Sequence, residues 1–171
     1  QVCLRAVVVY VPCVSHGPLT AWSQHLVYFT NSLNDPAWQQ TPDPHQRLFD
    51  DLSAAMSEWI EAGDQLFIMG DWNADVRELP LINFFDTHNM EEALIACHGD
   101  TAPATCNMGS CPIVDGVWAT RGLEISAGGY FNFEDGLPGN HRTLWWDVSY
   151  LHALGHTQPA IIRRTGRRLK M

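Results

Sequence analysis

Apolar positions along the chain follow two rhythms, a β-like run or alternation and a helix-like recurrence every three to four residues. Arg5-Ala6-Val7-Val8-Val9-Tyr10-Val11 is a β-branched run stopped by Pro12, which predicts a buried strand. Over residues 20–33, Trp22, Leu26, Phe29 and Leu33 recur at helical spacing until Asn34-Asp35-Pro36, where the residue before proline is pushed out of the helical region. A polar, proline-marked loop runs on to Pro44. There a second helix is well specified, with Asp43 as N-cap, Pro44 at the first helical position and Gln46 at the capping-box position. Its apolar stripe is Leu48, Phe49, Leu52, Ala55, Met56, Trp59 and Ile60, and Gly63 closes it. Residues 65–69 form a short buried strand that runs into Gly70-Asp71-Trp72-Asn73. A further helix is expected over 89–99, with Glu91 and Glu92 favouring its positive end and Gly99 as its stop. Strands are expected over 114–119, 123–126 and 144–151. Mixed elements give way to strands, so the fold class is α/β (α+β), with sheets covered by helices in layers.

Composition narrows the picture. At 171 residues, 46% hydrophobic and 17% charged, the chain suits one folded domain, with the body at 1–155 and a basic tail or linker at 156–171. No apolar run reaches the ~18–20 residues that span a bilayer, so no membrane insertion is expected. Cys3, Cys13, Cys97, Cys106 and Cys111 are an odd number in a chain too long to need disulfide staples. They read as reduced thiols of an intracellular protein. A zinc site from Cys97, His98, Cys106 and Cys111 is the alternative to small buried cysteines, but the Cys-x4-Cys spacing is loose and no second pair follows.

Charge changes the picture more. The formal net charge is −9, yet Arg163, Arg164, Arg167, Arg168 and Lys170 are half of all the Lys and Arg. Residues 1–162 therefore hold 19 acidic and 5 basic residues, a net charge of −14. Such a body is not a generic binder of nucleic-acid backbone, and phosphodiester chemistry on it requires added cations. The tail can touch phosphate or serve as a solvated linker.

Three clusters can carry chemistry. Asp71 and Asn73 lie two apart just past a buried strand, where alternation can aim both at one site, although both are also turn formers. Asp115 stands alone in the apolar stretch Ile113-Val114-Asp115-Gly116-Val117-Trp118, where a carboxylate needs a partner. In Gly139-Asn140-His141-Arg142 a polar turn delivers an imidazole to the mouth of the next strand. Its N–H is a suitable partner for Asp115, which would fix the tautomer and the ring orientation. A surface histidine with no catalytic role is the alternative.

In this order the pieces resemble the endonuclease/exonuclease/phosphatase superfamily, the group of DNase I, apurinic-site endonucleases and retroelement endonucleases. Val9-Tyr10-Val11-Pro12 is similar to the family's strand with its active-site Tyr. Gly70-Asp71-Trp72-Asn73 resembles its Gly-Asp-(Phe/Leu/Trp)-Asn motif, Val114-Asp115-Gly116-Val117 its Ile-Asp-Tyr-Ile strand, and Gly139-Asn140-His141-Arg142 its final Ser-Asp-His. The likeness covers roughly residues 4–151 and implies a DNase I-like layered β-sandwich flanked by helices. It implies that Asp71 orients or activates the attacking water, Asn73 holds phosphoryl oxygens, and His141 contacts the scissile phosphate with Asp115 fixing its ring. Tyr10 would donate to phosphate, and Mg2+ or Mn2+, with Asp71 and the residue at Asn140 as metal ligands, would offset transition-state charge.

Two departures qualify the resemblance. The family's early Asn and metal-binding Glu should precede Tyr10, which only nine residues do, so the N-terminal portion is expected to be missing. The Asp before the final His is Asn140 here, which removes an anionic ligand. The strand Arg142-Thr143-Leu144-Trp145-Trp146-Asp147-Val148 and the basic tail are most similar to retroelement endonucleases. A DNA endonuclease acting in the nucleus, continued into a reverse transcriptase, is therefore the leading expectation. A phosphatase or phosphodiesterase acting on a phospholipid or nucleotide is the second, and an inactive fragment or scaffold the third. Half a layered sandwich exposes strand edges and an apolar face, so self-association is expected.

Overall fold

The computed structural model describes residues 3–31, 43–109 and 112–155. The basic tail and its boundary at 156, the Asn34-Asp35-Pro36 stop, most of the loop before Pro44, and Cys111 lie outside the described residues. Within them the fold is mixed α/β, with five α-helices and two sheets. Among these residues no helix is long and apolar enough to cross a membrane.

The elements in chain order are β1 (Leu4–Tyr10), α1 (Ala21–Asn31), α2 (Pro44–Glu61), β2 (Gln65–Asp71), α3 (Leu79–Asp86), β3 (Met90–Glu92), α4 (Ala93–His98), β4 (Asp115–Thr120), β5 (Ile125–Tyr130), β6 (Leu144–Val148) and α5 (Tyr150–Leu154). Helix α2 begins as its sequence dictates. The Asp43 carboxylate accepts from His45 N at 2.8 Å and Gln46 N at 3.4 Å, and Pro44 occupies the first turn, where a missing N–H costs nothing. Gln46 does not complete a capping box, because its amide donates to Asp50 one turn on. Gly63 ends the helix at φ +83°, where a Cβ would be strained.

Four strands form the main sheet in the order β1-β2-β4-β3, with β1 parallel to β2 and the other pairs antiparallel; β5 and β6 form a separate hairpin. Strand alternation divides the main sheet into two faces. Val9, Ile68 and Trp118 meet Leu52 and Met56 of α2 and Leu81 and Phe85 of α3. On the other face Phe67, Val117 and Ala119 meet Leu94 of α4, with Leu144, Trp146 and Val148 of β6 packed against them. Helices, sheet and hairpin thus form three layers. Fully burying Met56 or Phe85 contributes about 1.5–3 kcal/mol each.

Several boundaries differ from the sequence reading. Strand β1 is not buried on both sides: it is an edge strand, and on the hairpin face the core takes in Leu4 at its start, with Val9 buried on the other face but Val8 79% and Tyr10 58% exposed. The helix expected over 89–99 opens instead as strand β3, since Asn89 takes φ +54° and Met90, Glu91 and Glu92 pair with β4. Glu92 then caps the short α4 through Ile95 N, and its other oxygen accepts from Val117 N at 2.7 Å. Burial pushes this carboxyl up to about 7, against the pull of those amide bonds. The last strand ends at Val148, and its expected continuation is helix α5. Helix α3 is too short to show a helical repeat in the sequence, and Pro at its start with an apolar face carrying Leu81 and Phe85 defines it.

Candidate metal and phosphate site

The site forms where the two central strands meet at the end of the sheet. Asp71 is the last residue of β2 and Asp115 the first of β4, and they are direct antiparallel partners. Tyr10 lies opposite Asp71 on the other side, in the parallel pair β1–β2. Cross-strand partners project to the same face. Beneath the two acids, Gly70 faces Gly116. A Cβ on Gly70 would lie 1.8 Å from the Val9 carbonyl oxygen, and one on Gly116 would lie 2.8 Å from the Val76 side chain. The acids therefore stand over a floor with no room for side chains.

His141 arrives from the segment before β6. Its Nδ1 pairs with Asp115 Oδ2 at 2.7 Å, which leaves Nε2 for a substrate or a metal. Asp115 is the more enclosed partner, with a side chain 14% exposed against 41% for His141. Ligand atoms of Asp71, Asp115 and His141 all lie within 4.8 Å of one another. Among the described residues this is the one such group of three, so Cys97, His98 and Cys106 form no zinc cluster there.

Asn73 lies beside the cluster for a reason other than strand alternation. The strand stops at Asp71 and Asn73 turns at φ +48°, a left-handed position that Asn tolerates. Its backbone N–H donates to Asp71 at 3.0 Å, and its side-chain amide donates to the Val11 carbonyl at 2.6 Å and reaches Asp71 Oδ2 at 3.4 Å. Cys13 Sγ donates to its oxygen at 2.8 Å. Asn73 thus anchors the Asp71 carboxylate to the segment just past β1, and its amide is already engaged. Asn140 is exposed and enters through its backbone, whose carbonyl accepts from Asn107 N at 3.0 Å.

One residue that the sequence did not single out holds the cluster together. Thr105 is fully buried, and its hydroxyl oxygen accepts from both Val114 N at 2.9 Å and Asp115 N at 3.0 Å. Its carbonyl accepts from Arg142 N at 2.7 Å, while the neighbouring Cys106 bridges His141. Thr105 therefore ties the strand bearing Asp115 to the segment bearing His141. A threonine in a loop between prolines has no periodicity, so nothing in the sequence marks it.

The two carboxylates and the imidazole shape one another's charge. Burial pushes the Asp71 carboxyl up, opposed by the Asn73 amide, and the Asp115 charge adds to the rise while His141 subtracts from it. For His141 burial is the largest influence and disfavours the charged ring. The hydrogen bond and charge of Asp115, with the charge of Asp71, outweigh it and raise the imidazole above its ordinary value. Four of the five arginines among the described residues pair with a carboxylate. Arg5 pairs with Asp64, Arg47 with Asp51, Arg77 with Asp75 and Arg121 with Asp86. Arg142 donates to the carbonyls of Ala104 and Phe131 and lies over the Phe133 ring.

Compared with known proteins, the chain matches no protein-family model and no curated protein.

Proposed function

We propose that this chain carries a divalent-cation-dependent phosphoester-hydrolysing site of the endonuclease/exonuclease/phosphatase type, within a DNase I-like sandwich. The convergence of Asp71, Asp115 and His141 carries the reading. Two carboxylates and an imidazole fit a divalent ion, which would offset the negative charge that Asp71 and Asp115 present to a phosphate. Mg2+ or Mn2+ held by Asp71 and a free oxygen of Asp115 would supply the positive charge that draws in a phosphate and offsets developing negative charge. Asp71 then orients the attacking water, with Asn73 fixing the carboxylate. His141 holds the scissile phosphate through Nε2, its ring set by Asp115, and the exposed Tyr10 hydroxyl donates to a phosphoryl oxygen.

For the substrate, DNA cleavage of the retroelement type rests on the motif strand at 142–148 and the basic residues at 163–170. The nuclear setting and a reverse transcriptase partner belong to that reading. The acidic body favours a smaller phosphoester. Plasmid nicking in Mg2+ and Mn2+ by the full-length protein is the test of the site itself, run beside a panel of small phosphodiesters. Turnover that persists in EDTA and in His141→Ala would sink the proposal.

A further inference from the structure

Resting on that reading, we infer that Glu92 is a positioning residue for the metal site: its ionised carboxylate stands in for a further residue of β3 and holds the end of β4 that presents Asp115. Strand β4 pairs with β2 from Ala119 down to Asp115. On its other edge β3 stops at Glu92, opposite Trp118, so among the described residues no strand flanks Asp115, Gly116 and Val117 there. Side chains serve those amides instead. Val117 N donates to Glu92 Oε1 at 2.7 Å and Asp115 N to Thr105 Oγ1 at 3.0 Å. The second Glu92 oxygen accepts from Ile95 N, so one carboxylate joins β4 to the first turn of α4. Glu92 is 8% exposed, and its Oε1 would lie 3.2 Å from a Cβ on Gly116, one of the two glycines beneath the acids. It therefore acts on Asp115 through the backbone of Gly116 and Val117.

Amide donors on both oxygens are best served by the charged form. Protonation turns one oxygen into a hydroxyl with a hydrogen of its own to place, and removes the charge that strengthens both bonds. Burial raises this group to about 7, so the metal-free fold prefers it protonated below that value, and the carboxylate forms as pH rises through it. The hold on β4, and with it the affinity for a divalent ion, should therefore grow as pH rises through 7. Stability of the metal-free fold has the opposite sign and falls over the same range. Other groups face Glu92. His98 of α4 favours its ionised form, and Tyr130 of β5 lies within electrostatic reach but is kept neutral by burial. Arg77, Asp86, Glu91, Asp100 and Arg121 rim a cavity of about 400 Å³ that Glu92 also lines.

The test is the Mn2+ affinity of the full-length protein, measured by titration calorimetry at pH 6 and pH 8 with and without Glu92→Gln. Glutamine keeps the shape, offers one acceptor oxygen and does not titrate. Asp71 and His141 titrate in both proteins, so their contributions cancel in the ratio of the two dissociation constants. Glu92→Gln should bind Mn2+ about tenfold more weakly at pH 8, the scale on which groups that orient metal ligands act. At pH 6, where the unaltered carboxyl is itself mostly protonated, the ratio should fall below about threefold. The same pH dependence should appear on a His98→Gln background, and its loss there overturns the assignment to Glu92. If Glu92→Gln fails to fold, hydrogen exchange in the unaltered protein decides. Protection of Val117 N–H relative to Ile68 N–H should be lower at pH 6 than at pH 8, and an unchanged ratio overturns the inference. So does a calorimetric ratio that is equal at the two pH values, while Mn2+ binding by the unaltered protein leaves the metal site standing. No Mn2+ binding by the unaltered protein at either pH overturns the site and this inference together.

Discussion

Thr105→Val removes one oxygen and keeps the shape of the side chain, so it isolates what the buried hydroxyl does. In the native fold that oxygen receives the N–H groups of Val114 and Asp115, at 2.9 and 3.0 Å, in a position with no solvent access. Valine leaves both donors without a partner. An orphaned buried donor costs about 1–3 kcal/mol, and because both share one acceptor we take roughly 2–4 kcal/mol for the pair. For a chain of this size each kcal/mol moves the melting temperature by about 2–4 °C, so a fall of roughly 5–15 °C is expected by circular dichroism. Thr105→Ser retains the oxygen and loses a methyl group, so it should recover most of the hydrogen-bond contribution. The valine variant should also lose phosphoester turnover beyond its loss of stability, since Asp115 N is one of the two orphaned groups. A valine variant that melts within 1 °C of the wild type, or a serine variant no better than valine, would refute the reasoning.

Other outcomes follow from the same site. Asp71 has a raised pKa, so the fold prefers its protonated form. That preference stabilises fully below the ordinary value of 3.8 and is lost as pH rises through the raised value. Asp71→Asn should accordingly melt higher than the wild type at pH 7, show no such gain near pH 3, and lose metal-dependent turnover; a lower melting point at pH 7 contradicts this account. His141 is raised too, so the stability of its pairing with Asp115 is fully present below 6.5 and lost as pH rises through the folded value. The difference in melting temperature between wild type and His141→Gln should shrink between pH 5.5 and pH 9, and a constant difference argues against the pairing. On the exposed edge strand, Val8→Lys introduces a charge that opposes strand pairing between copies. Sedimentation velocity should show the wild type self-associating at high concentration and the variant less so, whereas a clean wild-type monomer removes the premise.

Legibility in the sequence tracked how local the determinant was. The start of α2 was readable because Asp43 and Pro44 act on amides within the same turn. Strands β2 and β4 were readable because an apolar run buried on two faces needs no partner to be identified, and the Asp115–His141 pairing followed from the cost of a lone carboxylate in such a run. What stayed hidden depended on distant chain. Val8 belongs to an ordinary β-branched run, and only the extent of the hairpin across the sheet decides that it is exposed. Glu92 looks like a helix-start residue and is one, but it also serves a strand amide 25 positions away. Thr105 reaches ten residues ahead for its amides, and no pattern in a loop announces such a reach.

The pair of glycines beneath the two acids bears on how such a site can change. Gly70 and Gly116 make the layer under the carboxylates almost wholly main chain, pressed against the Val9 carbonyl on one side and Val76 on the other. Backbone positions in a paired sheet are set by hydrogen bonding and shift little when a neighbouring residue is replaced. Variation in this chain can thus alter what stands beside the acids, as at Tyr10 or Asn140, while the spacing of the acids stays nearly constant. Substrate preference is then free to drift on a chemical centre that substitution readily silences but scarcely relocates.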